Sequence, residues 1–192
     1  MDSRQQVRAV ATFLNTIGLV TIEEIGARGF VPGVNIREGV IAIDPTEAKA
    51  SDLLHEAGHL ATVPGCFRHF FSGNVDSGQR RSLEALNEIE AEIDSPVFRA
   101  VMQCSDPEAT AWAWAVGKYL GIREKDIIED EDYNGEGEGI RTMLSLNSYV
   151  GINGLAHAGF CSIRERSVAI NGLPAYPKLA MWVQPDNPSL HV

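Results

Sequence analysis

His55-Glu56-Ala57-Gly58-His59 is the stretch of this chain whose spacing carries chemistry. It is an H-E-x-x-H pattern. On a helix, the two imidazoles project from one stripe, and the carboxylate sits about 100° round the axis. Two neutral nitrogen donors and a nearby base for a water are what a catalytic zinc requires. Such an ion takes three protein ligands and keeps a fourth position open, so one further donor is needed. A third His six residues after the second is absent, that position being Gly65. Glu108 is the first candidate, because it falls in line with Ala111, Trp112, Ala115 and Tyr119 on a helical stripe, and a carboxylate turned to the core needs a cationic partner. The alternative for Glu108 is a first-turn carboxylate favoured by the helix macrodipole. Glu90, the most inward of a nearby acidic group, and His69 compete for the ligand role. Asp52, one turn before His55, is expected to accept the second ring N–H of a ligand histidine. Glu56 is the expected general base. His157, with Tyr149 second, is the expected donor to a developing oxyanion.

The elements that must position these residues are partly legible. Val7, Val10, Ala11, Leu14 and Ile17 recur at helical spacing before Gly18. Phe30–Ile36 and Val40–Asp44, joined by Arg37-Glu38-Gly39, predict a hairpin with a bulge turn. Asp44-Pro45-Thr46-Glu47 has an N-cap residue, a first-position Pro and a Glu three residues on, so a helix is expected from there through the motif to Val63-Pro64. Residues 64–82 read as a loop. A helix carrying Leu83, Leu86, Ile89 and Ile93 is expected to stop before Pro96, and another to run from Asp106-Pro107-Glu108 to Gly121. Ile140, Met143 and Leu144 carry a weaker helical pattern.

The 192 residues suit one domain, 1–192, with 64–105 as an insertion or connecting region. Net charge is −10 with scattered Lys and Arg, which disfavours nucleic-acid binding and anionic membranes. Cys66, Cys104 and Cys161 form no disulfide pattern, and no secretory signal or spanning run is present, so a cytoplasmic protein is expected. Asp130–Gly135 matches half of a calcium loop, but position twelve is Arg141 where a bidentate Glu belongs; a solvated acidic loop is the expectation. Trp112, Trp114 and Trp182 are expected to pack rather than form a ligand cage.

His55-Glu56-Ala57-Gly58-His59 followed by Glu108-Ala109-Thr110-Ala111-Trp112-Ala113 resembles the zincin metallopeptidases of the Glu-ligand type, and within them the ImmA/IrrE-like group. The resemblance covers about residues 30–120. It implies a zinc endopeptidase, with one Zn2+ per chain on His55, His59 and Glu108, and an edge strand, here Val40 to Ile43 with Val40 and Ala42 as contacts, that hydrogen-bonds an extended peptide. The expected fold is α+β: a small mixed sheet, the motif helix, and a second helix supplying the Glu ligand. The expected function is zinc-dependent peptide hydrolysis, with a peptide or protein as partner and the oligomeric state open. The alternatives are a non-catalytic or regulatory scaffold that binds a protein, and hydrolysis of a non-peptide amide.

Overall fold

The computed structural model describes residues 1–186. It is α+β, with helices and a small three-stranded mixed sheet. Helix α1 (Ser3–Thr16) opens on a capping box: Gln5 N–H donates to Asp2 Oδ1, and Asp2 N–H donates to the Gln5 side chain. Its apolar face, Val7, Val10 and Leu14, is fully buried. Gly18 follows at φ +88°, the left-handed conformation expected past a helix end.

Strands β1 (Thr21–Glu23), β2 (Val34–Arg37) and β3 (Val40–Ile43) form the sheet in the order β1-β3-β2. The hairpin exists, but its turn is two residues, Glu38-Gly39, because Arg37 pairs with Val40. Both turn residues have positive φ, as the primed turns that match strand twist require. The first strand is also shorter than expected: Phe30 and Val31 lie outside it, and Pro32 makes only an isolated bridge to Arg28. β3 is not an edge. It pairs parallel to β1 and antiparallel to β2, and Ile41, Ala42 and Ile43 are buried. That corrects the substrate-contact role expected of Val40 and Ala42, whose strand is paired on both sides. An unbroken Val-Ile-Ala-Ile run is what a central strand with two covered faces presents.

The motif helix α2 runs from Ala50 to Thr62 and stops at Val63-Pro64 as expected. Its start differs. Asp44 uses its carboxylate on Thr46 N–H, Thr46 Oγ1–H and Gly26 N–H, and its carbonyl accepts from Ala48 N–H. Asp44 therefore closes a local turn, and the helix begins five residues after Pro45. Residues 64–82 are not plain loop. A 3-10 turn spans Gly65–Phe70, and α3 (Val75–Glu88) starts on Asn74, whose side chain accepts from Ser77 N–H. Pro96, read as a stop, is instead the first residue of α4 (Pro96–Met102), capped by Ser95.

Helix α5 (Asp106–Tyr119) makes with α2 the most extensive helix pair among the described residues. Trp112 and Trp114 are buried in the core, and Trp112 Nε1–H donates to the Trp182 carbonyl at 2.8 Å. Beyond α5 come α6 (Glu124–Ile127), a 3-10 turn at Glu131–Tyr133, α7 (Gly137–Ser145), α8 (Val150–His157) and α9 (Glu165–Asn171). In the acidic loop, Arg141 stands 3.0 Å from Asp130 and donates to the Ile128 carbonyl, so position twelve of the half-matched calcium loop supplies an internal cation. Among the described residues no helix is long and apolar enough to cross a membrane.

Candidate metal centre

Helix α2 places His55 and His59 one turn apart, with rings nearly perpendicular and centroids 4.9 Å apart. Their Nε2 atoms face each other at 3.3 Å. The third group is Asp106, at the first position of α5. Its Oδ1 lies 3.3 Å from His59 Nε2 and 3.6 Å from His55 Nε2. Ligands of a tetrahedral zinc at about 2.1 Å stand ~3.4 Å from one another, so these three atoms are spaced as one face of that tetrahedron. The His55–His59–Asp106 group can hold a metal ion.

The other ring nitrogens support this orientation. His59 Nδ1 is 2.8 Å from the Cys104 carbonyl. A carbonyl only accepts, so Nδ1 carries a proton, and in the neutral ring Nε2 is left with its lone pair turned to the site. His55 Nδ1 lies 3.4 Å from Thr110 Oγ1, which also meets Tyr133 Oη at 3.1 Å. The groups beside the imidazoles are thus a backbone carbonyl and a hydroxyl, and no hydrogen bond joins Asp52 to either ring. Asp52 lines the same cleft instead, half-buried.

Electrostatics bind the three groups together. Burial alone would push the His59 imidazole down, but hydrogen bonding to Asp106 and to the Cys104 carbonyl, with the charge of Glu56, raises it above its ordinary value. Hydrogen bonds from His55 and His59 hold the Asp106 carboxyl well below the usual carboxylate range. Glu56 is buried, on the wall of the cleft that contains the triad. That cleft has a volume of about 750 Å³; Phe30, Val31, Tyr133 and Tyr149 supply apolar wall.

Of the residues singled out from sequence, the structure brings together His55, Glu56, His59, Asp52 and Tyr149 on this cleft. Glu108 is buried as expected, but it lies outside the group of three. Its Oε2 accepts from Ser105 Oγ at 2.5 Å, two residues from the aspartate that faces the imidazoles. The helix-terminus alternative accounts for it: Glu108 sits in the first turn of α5, where the macrodipole favours a carboxylate. His157 is also elsewhere, half-exposed at the end of α8, with Nε2 3.5 Å from Asp94. Glu90 is exposed just past α3, and His69 packs its ring on Phe70. Asp106 was visible in the sequence only as a helix start. The signal for it lies on a different stripe of α5: Ala109 packs on Gly58 and Thr110 meets His55, and Asp106 precedes them by three and four positions.

No protein-family model, curated protein or solved structure matches the chain.

Proposed function

We propose that this protein is a zinc-dependent peptidase in which a metal-activated water hydrolyses a peptide bond. The observation that carries the reading is the near-equilateral set of His55 Nε2, His59 Nε2 and Asp106 Oδ1, with Glu56 beside it on an open cleft. Zinc is favoured over harder ions by two imidazoles and one carboxylate. When bound, the ion would lower the pKa of a water toward neutrality and polarise the substrate carbonyl. Glu56 would serve as the base, taking a proton from a water at the site and returning it to the leaving amine. Cys104 and Thr110 hold the imidazoles so that both Nε2 atoms stay inward.

The oxyanion donor is assigned to a tyrosine on the cleft rather than to His157. Burial pushes the Tyr133 hydroxyl up to about 12 and raises Tyr149 as well, so both keep their protons at neutral pH and donate. The peptide is assigned to the part of the cleft that Phe30-Val31 and Gly73-Asn74-Val75 line. The outer edge of β2 is already occupied by Gly29, which precedes the first of these segments, and by Gly73 of the second: Gly29 N–H donates to the Val34 carbonyl and Gly73 N–H to the Ile36 carbonyl. We place the protein in the cytoplasm on its three free, scattered cysteines.

The test is cleavage of unfolded protein that stops with chelator and returns with zinc. Glu56→Gln should abolish turnover while metal content stays near one ion per chain. Hydrolysis retained in that variant would remove Glu56 from the base role.

A further inference from the structure

We infer that Glu108 is a positioning residue for the metal centre: through Ser105 it fixes the turn that presents both Asp106 and the Cys104 carbonyl. The inference rests on the metal-binding reading of the same site. Three consecutive residues leading into α5 each have a place there. The Cys104 carbonyl accepts from His59 Nδ1–H, the Ser105 hydroxyl donates to Glu108 Oε2, and Asp106 Oδ1 faces both Nε2 atoms. The usual N-cap geometry is absent, because the Ser105 side chain accepts no backbone N–H. Its hydroxyl is spent on the glutamate three residues on. Ser105 is the hinge between the two groups that meet the histidines, so its torsion angles set both at once.

Glu108 is itself held from behind. A Cβ at Gly154 would stand 2.1 Å from Glu108 Oε1 and 2.5 Å from Gln103 Oε1, and a Cβ at Gly151 would stand 1.8 Å from the Pro107 carbonyl oxygen. Helix α8 therefore lies directly against the first turn of α5 and leaves the Glu108 side chain little room to choose another rotamer. The buried carboxylate transmits that packing to Ser105, and Ser105 to Asp106. Outer groups that orient ligands in this way are worth about 10- to 100-fold in metal affinity.

The experiment is a cobalt(II) titration of the metal-free chain, followed by visible absorption, with thermal unfolding of each metal-free variant alongside. Glu108→Ala and Ser105→Ala should each weaken cobalt binding by about 10- to 100-fold. The double variant should be no weaker than either single one, because both remove the same contact. Glu108→Gln, whose amide oxygen still accepts from Ser105, should bind within about threefold of the parent, a shift that corresponds to well under 1 kcal/mol. Asp106→Ala should lose binding most. Affinity unchanged in Glu108→Ala and Ser105→Ala, or additive losses in the double variant, would overturn the inference. So would Glu108→Gln failing as badly as Asp106→Ala, since Glu108 would then be a ligand. A parent chain that takes up no cobalt would remove the metal centre and this inference with it, whereas one that binds cobalt and cleaves nothing would remove only the peptidase reading.

Discussion

Asp52 shows how far a single residue's role depends on what surrounds it. From sequence it was a partner for a ligand histidine, a reading based only on its place one turn before His55. In the folded chain the imidazoles find Cys104 and Thr110 instead, and sequence spacing could not reveal groups 45 and 55 positions away. Asp52 is left on the cleft wall, where burial and then the charge of Asp132, against the pull of Lys49, push its carboxyl up from 3.8 to about 6. The folded state therefore binds this proton more tightly than the unfolded chain does. The resulting stabilisation is complete below pH 3.8 and is lost as pH rises through 6. Asp52→Asn should accordingly stabilise the metal-free protein by about 1–3 kcal/mol at about pH 7.5, with the difference closing toward about pH 4. Urea unfolding at the two pH values checks this; an Asn variant less stable than the parent at the higher pH would contradict it. The His55–His59 pair was legible because its geometry is set by spacing along one helix. Asp106 was not, because its place beside the imidazoles comes from the meeting of two helices.

At the scale of elements, the centre is a product of how closely α2 and α5 approach. A Cβ at Gly58 would stand 2.7 Å from the Ala109 carbonyl oxygen and 2.8 Å from its Cα. Both are backbone atoms that cannot swing aside. Gly58→Ala gains up to about 1 kcal/mol in helix propensity but forces the helices apart, at a cost of about 1–3 kcal/mol. The expected net result is a melting temperature lower by a few degrees and weaker metal binding, because Asp106 leaves with α5. Calorimetry with and without zinc measures both; an unchanged melting temperature and affinity would mean that this contact does not set the site. The sequence showed α2's end and α5's start because Pro64 and Pro107 act locally. It did not show α2's true start, since Asp44 serves Thr46 and Gly26 rather than a helix, and Gly26 is reached only through the folded β1–β2 loop. The central place of β3 was likewise hidden. Three residues of β1 become its parallel partner, and a strand that short carries almost no pattern of its own.

For the molecule as a whole, the excess of 26 acidic over 16 basic residues extends into the cleft. The cleft is lined by Asp52, Glu56, Asp76, Asp106 and Asp132, and no Lys or Arg is among its described lining residues. Lys49, nearby, is already engaged by Glu129 and Asp132. A concave, one-signed wall focuses its potential outward and raises the encounter rate with cations. If the cleft hydrolyses peptides, a Lys-bearing substrate should show several-fold higher kcat/KM than its Glu-bearing analogue at low salt. The ratio should shrink between about 0.05 and about 0.5 M salt as the screening length shortens. Steady-state assays on the two peptides decide it; a preference insensitive to salt would assign selectivity to shape instead.

The three metal-facing side chains also differ in depth. Asp106 is 83% exposed, His55 25% and His59 3%. A hydrated cation entering from solvent would meet the aspartate first, exchange one water for a carboxylate oxygen, and only then reach the sheltered imidazoles. For an ion held by this group, the outermost side chain would serve as a landing stage, and loading and release would be governed by the rim of the cleft rather than by its floor.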